Sequence, residues 1–295
     1  MLTGIVCSNR MAYRESLALF CVLACLRMQP VSAETIRVPI AIDGETVHFA
    51  VRIHAPDGPG PFPTAIFHHG GTGTGRDPAL FRAPFDPPSL RAYFTSRGWA
   101  LILPSRRGRG GSEGLYDEGF SRDRTEGYSC EKAIALAGAN RALRDIDAVT
   151  ADVLRLPAVD RDRVIVGGVS RGGVLAIAHA GRQPKLFKGV INFVGGWLAS
   201  DARCGTASEV NQALFRLGAS YPGPTLWLYG DADSRDPLAH SRSNFEAFQS
   251  AEGRGLFRDY RYLGGLDWHF IFLRQHLWEK DVDAYLRAQG LPVAR

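Results

Sequence analysis

Short apolar runs alternate with stretches of helical periodicity over most of the chain. Runs with the length and β-branched character of buried strands occupy residues 64–67, 99–103, 163–169, 187–194 and 225–229. Helical patterns occupy residues 88–97, 131–156, 171–181 and 237–249 and the C-terminus. Strands that alternate with helices form a mostly parallel central sheet with helices on both faces. The pattern therefore predicts an α/β fold.

The strands at the two ends of this pattern differ from the buried ones. Residues 35–40 and 46–54 flank Asp43-Gly44, which predicts two antiparallel strands joined by a turn. A last strand is expected at residues 260–263. Nothing in residues 34–295 indicates a second domain, so one domain is expected there. Residues 197–219 are expected to form an insertion over a functional site.

A serine flanked by glycines lies between a predicted strand and a predicted helix. Residues 168–172 read Gly-Val-Ser-Arg-Gly, which fits Gly-x-Ser-x-Gly. A strand that reverses sharply into a helix leaves no room for side chains at Gly168 and Gly172, and it projects Ser170 above the sheet. The helix N-terminus then lies under the serine, where the Arg171 amide can face a developing oxyanion. Ser170 is the predicted nucleophile, and a plain glycine-rich turn is the alternative.

A serine hydroxyl is a weak nucleophile that needs a base, and the base needs an acid to orient it. In this strand–turn–helix setting the expected order along the chain is serine, acid, histidine. Asp231 and Asp233 follow the predicted strand at residues 225–229, and His269 follows the last predicted strand. Asp233 is preferred because it lies further along the loop, which leaves room for its carboxylate to turn back to the histidine. The predicted triad is Ser170, Asp233 and His269.

Glycines also follow the predicted strand at residues 64–67, where the chain reads His68-His69-Gly70-Gly71. The Gly71 amide is the candidate second oxyanion donor, and a tight turn without a catalytic role is the alternative. The glycine clusters lack the Lys-Ser/Thr of a phosphate loop and the spacing of a dinucleotide fingerprint. His68 and His69 are neighbours on a strand and point to opposite faces. We therefore expect no metal and no cofactor.

Composition and charge narrow the classes of partner. The chain has 295 residues, 22% of them charged, and a formal net charge of +5. Its basic residues are almost all arginines, scattered along the sequence, which is typical of a solvated surface. We expect a small-molecule substrate and no nucleic-acid partner.

The first 33 residues have the pattern of a secretory signal peptide. Arg10 and Arg14 precede an apolar run at residues 17–26 that is too short to span a membrane, and Val31-Ser32-Ala33 supplies the small residues of a cleavage site. The alternatives are a cytosolic chain with a buried first helix and a lipoprotein signal ending at Cys25. We expect a periplasmic or secreted protein without a stable membrane span.

Cleavage after Ala33 leaves Cys130 and Cys204 as the cysteines of the mature chain. A pair of cysteines in an oxidising compartment predicts one disulfide. Two inert buried thiols are the alternative.

These motifs together resemble those of the α/β-hydrolases, and in particular of the dienelactone hydrolase-like proteins. The resemblance runs from about residue 47 to the C-terminus. It rests on the turn at residues 168–172, called the serine elbow below, and on residues 68–71, 104–112, 226–233 and 267–269. It implies a Ser170–Asp233–His269 triad that hydrolyses an ester or lactone without a cofactor. Dienelactone hydrolases proper have a cysteine where Ser170 stands, which favours a general serine esterase here.

The leading hypothesis is a secreted serine hydrolase of small carboxylic esters. The alternatives are a small exopeptidase, because prolyl-oligopeptidase-like peptidases share the elbow and the arginine–glycine loop, and a catalytically silent binding protein. One arginine near the site is expected to pair with a substrate carboxylate; the alternative is that these arginines hold loops. The candidates are Arg106, Arg107, Arg109, Arg171 and Arg235.

Overall fold

A computed structural model of the protein describes residues 32–200, 204–261, 264–265 and 267–293. Within them one sheet has the strand order β1-β2-β4-β3-β5-β6-β7-β8. The strands are β1 (Ser32–Ile42), β2 (Glu45–Ala55), β3 (Phe62–His68), β4 (Ala100–Pro104), β5 (Val159–Val169), β6 (Gly189–Phe193), β7 (Thr225–Gly230) and β8 (Gly255–Tyr260). The β1–β2 and β2–β4 pairs are antiparallel, and the others are parallel.

The helices lie between the strands and cover the sheet. They are α1 (Ala79–Arg82), α2 (Pro88–Thr95), α3 (Lys132–Val153), α4 (Arg171–Arg182), α5 (Ala207–Arg216), α6 (Leu238–Ser250) and α7 (Gln275–Ala288). Short 3₁₀ helices span Arg124–Glu126, Leu217–Ser220 and Trp268–Leu273. Helices α3, α4 and α5 pack together, as do α2 and α7. No helix of the described part is long and apolar enough to cross a membrane.

The central strands are apolar because both of their faces are covered. Every residue of β4, β6 and β7 is buried, and so is the second half of β5. A strand buried on both faces gives a continuous apolar run in the sequence, which is the pattern that predicted these elements. The predicted α/β fold with a mostly parallel sheet is confirmed.

The predicted last strand at residues 260–263 is wrong. The strand is β8, Gly255–Tyr260, and residues 262 and 263 lie outside the described part. It lies at the edge of the sheet, where Phe257 stacks on Tyr229 at 5.1 Å while Arg258 and Asp259 are exposed. Because one face meets solvent, no apolar run marks this strand.

The structure describes the predicted insertion at residues 197–219 in part but not most of the predicted signal peptide at residues 1–33. The insertion at residues 197–219 contains α5 and the start of the 3₁₀ helix Leu217–Ser220. The predicted signal peptide falls outside the described residues except for its last two, Ser32 and Ala33, which begin β1. It stays a prediction.

Candidate active site

The carboxyl ends of the parallel strands meet at one edge of the sheet. His68 at the end of β3 pairs with Gly168 of β5, which pairs with Asn192 of β6. The loops that leave these strands line a cavity of about 590 Å³. Gly71, Ser170 and His269 all line it. In an open parallel sheet this edge is where ligands bind.

The strained backbone of Ser170 explains the glycines around it. Ser170 has φ 55° and ψ −123°, which residues with a side chain rarely adopt. A Cβ on Gly168 would lie 2.1 Å from the carbonyl oxygen of Gly172, and a Cβ on Gly172 would lie 2.1 Å from that of His68. Both distances are far inside van der Waals contact. The elbow therefore requires glycine at both positions, and it exposes the serine to the cavity.

Asp233 and His269 are hydrogen-bonded to each other. Both carboxylate oxygens of Asp233 lie 3.0 Å from Nδ1 of His269. The Asp233 side chain is fully buried, and its Oδ1 also accepts the amides of Arg235 at 2.8 Å and Asp236 at 3.2 Å. The alternative acid, Asp231, is exposed where the loop begins. The geometry thus places Asp233, and not Asp231, against the histidine.

The histidine loop is also fixed by hydrogen bonds. Oδ1 of Asp267 accepts the amide of His269 and that of Ser234, each at 3.0 Å. These hydrogen bonds lower the pKa of Asp267 against the raising effect of its partial burial. An ionised Asp267 therefore joins the loop of the acid to the loop of the histidine.

The two candidate oxyanion donors lie on adjoining segments. Arg171 is the first residue of α4, so its amide has no acceptor within the helix. A Cβ on Gly71 would lie 3.1 Å from Cδ of Arg171, and a Cβ on Gly70 would lie 3.2 Å from Cβ of Ser170. The loop after β3 therefore packs directly against the elbow.

A buried cluster around Glu118 holds two of the candidate arginines. Nε of Arg106 donates to Oε1 of Glu118 at 2.5 Å, and Nη1 of Arg171 lies 3.6 Å from Oε2. Arg171 also donates to the carbonyl of Trp197 at 2.9 Å and stacks on Tyr128 at 3.5 Å. Burial opposes ionisation of Glu118, but the guanidinium groups outweigh it and lower its pKa. Arg106 and Arg171 therefore fix loops.

Of the other three candidate arginines, one forms buried ion pairs and two line the cavity. Arg107 is buried and pairs with Asp43 and Asp145, each at 2.6 Å. Arg109 donates to the carbonyl of Gly70 at 3.3 Å and lines the cavity. Arg235 also lines the cavity, and no carboxylate among the described residues lies within ion-pair distance of it. The expectation of a substrate-binding arginine now concerns Arg109 and Arg235, because Arg106, Arg107 and Arg171 are engaged.

The paired histidines at the end of β3 are buried. Nε2 of His69 accepts the amide of Arg106 at 3.1 Å, and burial lowers the pKa of both His68 and His69 well below its usual range. Both rings are therefore neutral. The part of the chain that the structure describes has no group of three or more metal-ligating side chains placed to hold an ion.

Comparisons with known proteins found one family model and several solved structures of similar fold. The model of the prolyl oligopeptidase family matches residues 89–204, which include the elbow. No curated protein matches the chain. A candidate dienelactone hydrolase from Klebsiella pneumoniae superposes with a TM-score of 0.54 and 17% identity, covering 87% of this chain and 99% of that one. The chain therefore has the α/β-hydrolase fold.

Further α/β-hydrolases of different activity have a similar fold. An acetyl xylan esterase from Paenibacillus sp. R4 has a TM-score of 0.56 at 17% identity, over 88% of this chain and 90% of that one. A candidate dipeptidyl aminopeptidase IV from Bacteroides ovatus has a TM-score of 0.57 at 18% identity, over 88% of this chain but 36% of that one. Identities this low establish the shared fold and leave the substrate open.

A disulfide joins two walls of the cavity. The structure joins Cys130 and Cys204, as predicted, with their Cα atoms 5.1 Å apart and 74 residues between them in sequence. Both cysteines line the cavity, one before α3 and the other before α5. The bond therefore ties the insertion to the body of the domain beside the site.

Several residues of the cavity wall were missed by the sequence analysis. Tyr128 and Trp197 sandwich the Arg171 guanidinium, and Asp236 is an acid in the cavity wall outside the predicted triad. The apolar part of the wall includes Leu80, Phe85, Phe270 and Phe272. These residues come from loops far apart in sequence, and no local motif marks them. Only the position of Asp236 directly before Pro237 and a helix could have drawn attention to it.

Proposed function

We propose that the protein is a serine hydrolase that cleaves small carboxylic esters or lactones through an acyl-enzyme. The observation that carries the proposal is the Asp233–His269 pair, 3.0 Å apart, beside a strained Ser170 that faces the same cavity as the histidine. Serine, histidine and aspartate in these roles form an acyl-transfer site on many folds. We also propose that the mature chain is periplasmic or secreted, which the signal pattern and the disulfide support.

The reaction assigns one role to each side chain. Oγ of Ser170 attacks the ester carbonyl while Nε2 of His269 takes its proton, and Asp233 stabilises the imidazolium that forms. The amides of Gly71 and Arg171 hydrogen-bond the tetrahedral oxyanion. The intermediate collapses as His269 returns the proton to the leaving alkoxide, which departs as the alcohol. Water then repeats these steps on the acyl-serine, releases the acid and restores Ser170.

A related exopeptidase is the second candidate, because the prolyl oligopeptidase model matches the part of the chain that contains the elbow. The same triad can cleave amides, so the distinction lies in the substrate. We favour esters because the cavity wall is largely apolar on one side, with Leu80, Phe85 and Phe270 exposed to it.

Matched chromogenic substrates test this proposal. We would compare p-nitrophenyl butyrate with alanine p-nitroanilide and divide each kcat/KM by the rate of uncatalysed hydrolysis. We expect the larger rate enhancement for the ester, with loss of activity in Ser170→Ala. Cleavage of the anilide with the larger enhancement would favour the peptidase, and activity that survives in Ser170→Ala would contradict both.

A further inference from the structure

A second carboxyl group faces the cavity beside the proposed triad. Asp236 is 3% exposed, ends the loop that carries Asp233, and lines the same cavity as Ser170 and His269. Its Oδ1 accepts the Ser200 amide at 3.1 Å. Its Oδ2 has no hydrogen-bond partner among the described residues. A carboxylate oxygen on a cavity wall, with no partner in the described part of the chain, is placed to accept a hydrogen bond from a polar group of a ligand.

This oxygen lies close to the nucleophile. A Cβ on Gly196 would lie 2.8 Å from Oδ2 of Asp236, and the Gly196 amide donates to the carbonyl of Ser170 at 3.3 Å. In space, Gly196 therefore lies between the Asp236 carboxyl group and the serine elbow. A substrate group that Oδ2 contacts belongs to the part of the molecule next to the scissile bond.

A purely structural role accounts for only one of the two oxygens. Oδ1 holds the Ser200 amide and lies 3.8 Å from Nε2 of His240 on α6. An asparagine would hold the same amide through its own Oδ1. None of the residues that the structure describes holds the second carboxylate oxygen.

Burial and the neighbouring charged groups together determine the pKa of the Asp236 carboxyl group. The titratable groups that face it are Asp233 and Arg235 on its own loop, Tyr229 on β7, His240 on α6 and His269 after β8. Burial and the negative charge of Asp233 raise the pKa of Asp236 to about 7, against the lowering effect of His269, the Ser200 amide and Arg235. The carboxyl is therefore neutral in mild acid and charged in mild base, where it is the stronger acceptor.

We propose that Asp236 is a specificity-determining residue, and that its Oδ2 accepts a hydrogen bond from a hydroxyl or ammonium group on the carbon next to the scissile carbonyl. The proposal rests on the proposed esterase function and adds a substrate class to it. Substrates of this class are esters of 2-hydroxy or 2-amino acids.

The test uses three p-nitrophenyl esters of one acyl length, those of propionic, 2-hydroxypropionic and 2-aminopropionic acid. We would measure kcat/KM, corrected for spontaneous hydrolysis, for the wild type, Asp236→Asn and the control Asp231→Asn. The control removes a carboxylate from the exposed start of the same loop. In Asp236→Asn, Oδ1 still accepts the Ser200 amide, but an NH₂ group replaces Oδ2 and cannot accept.

We expect the wild type and the control to prefer at least one donor-bearing ester over the propionate by about tenfold or more at pH 8, as a hydrogen bond to a charged group provides. Asp236→Asn should lose this preference, because its kcat/KM falls by a larger factor on the preferred ester than on the propionate. The preferred ester identifies the donor. For the wild type, the ratio of kcat/KM on the 2-hydroxypropionate to kcat/KM on the propionate should rise as pH increases through 7. The same ratio for Asp236→Asn should stay constant with pH.

Two results would overturn the proposal. An equal loss of kcat/KM on all three esters in Asp236→Asn would mean that Asp236 only holds the loop. A wild type without preference for either donor-bearing ester would mean that Oδ2 does not meet the substrate. Failure to hydrolyse any of the esters would instead contradict the proposed function, on which this inference depends.

Discussion

Asp233 accepts hydrogen bonds from His269 and from two backbone amides, and these contacts fix its position. The amides of Arg235 and Asp236 reach Oδ1 at 2.8 and 3.2 Å, so the carboxylate cannot rotate away from the imidazole. A carboxylate held in this way keeps a proton on Nδ1 of His269 and leaves Nε2 free to take the proton of Ser170. Asp231, two residues earlier, is exposed.

Exchanging these two aspartates for asparagine separates their roles. Asp233→Asn should lower kcat by a factor on the order of 10⁴, because the amide cannot stabilise the imidazolium and favours the wrong tautomer. Asp231→Asn should lower kcat by less than about tenfold, as expected for an exposed carboxylate outside the site. Steady-state kinetics on p-nitrophenyl butyrate measures both, with circular dichroism to verify the fold. Equal losses, or a larger loss at Asp231, would refute the assignment.

At the scale of elements, the cavity depends on how the insertion after β6 is attached. The segment carries Trp197, Leu198 and Cys204 in the cavity wall before it continues into α5. Arg171 binds the carbonyl of Trp197, and the disulfide binds Cys204 to Cys130. Two attachments, one at each end, therefore hold this wall over Ser170.

Removing the disulfide should weaken both stability and substrate binding. In the chain-entropy model a closed loop of this length stabilises the fold by roughly 4 kcal/mol, and measured gains are often smaller. We expect Cys130→Ser with Cys204→Ser to lower the urea midpoint and to raise KM more than it lowers kcat, since the wall moves while the triad stays. The wild type should show the same shift in reductant, and the double variant none. Identical midpoints for the wild type and the double variant would contradict this account.

At the scale of the whole molecule, the sequence alone was sufficient to predict those features that a single local segment determines. The strands β3, β4, β6 and β7 and the second half of β5 are buried on both faces and read as apolar runs. The Ser170 elbow is encoded by glycines two residues on either side. His269 and Asp233 followed from the order of the motifs along the chain. These predictions needed no knowledge of distant contacts.

The remaining features depend on contacts between distant segments. β8 was misplaced because an edge strand with one solvent-facing side lacks an apolar run. The arginine-rich loop after β4 suggested a substrate carboxylate, but Glu118 and Asp145, far along the chain, engage Arg106 and Arg107. Asp236 became a candidate only when the fold brought it to the cavity. The leader at residues 1–33 and the location that it implies remain predictions.

The central claim is that Ser170 is a nucleophile activated by His269 and Asp233. Reaction with a fluorophosphonate tests this claim most directly. The serine oxygen displaces fluoride from phosphorus, and intact-mass and peptide analysis then locate the adduct. We predict one adduct, on Ser170, that forms orders of magnitude more slowly in His269→Ala and Asp233→Asn, and not at all in Ser170→Ala or in heat-denatured wild type. An adduct on another residue, undiminished labelling of Ser170→Ala, or no reaction of the folded wild type would contradict the account.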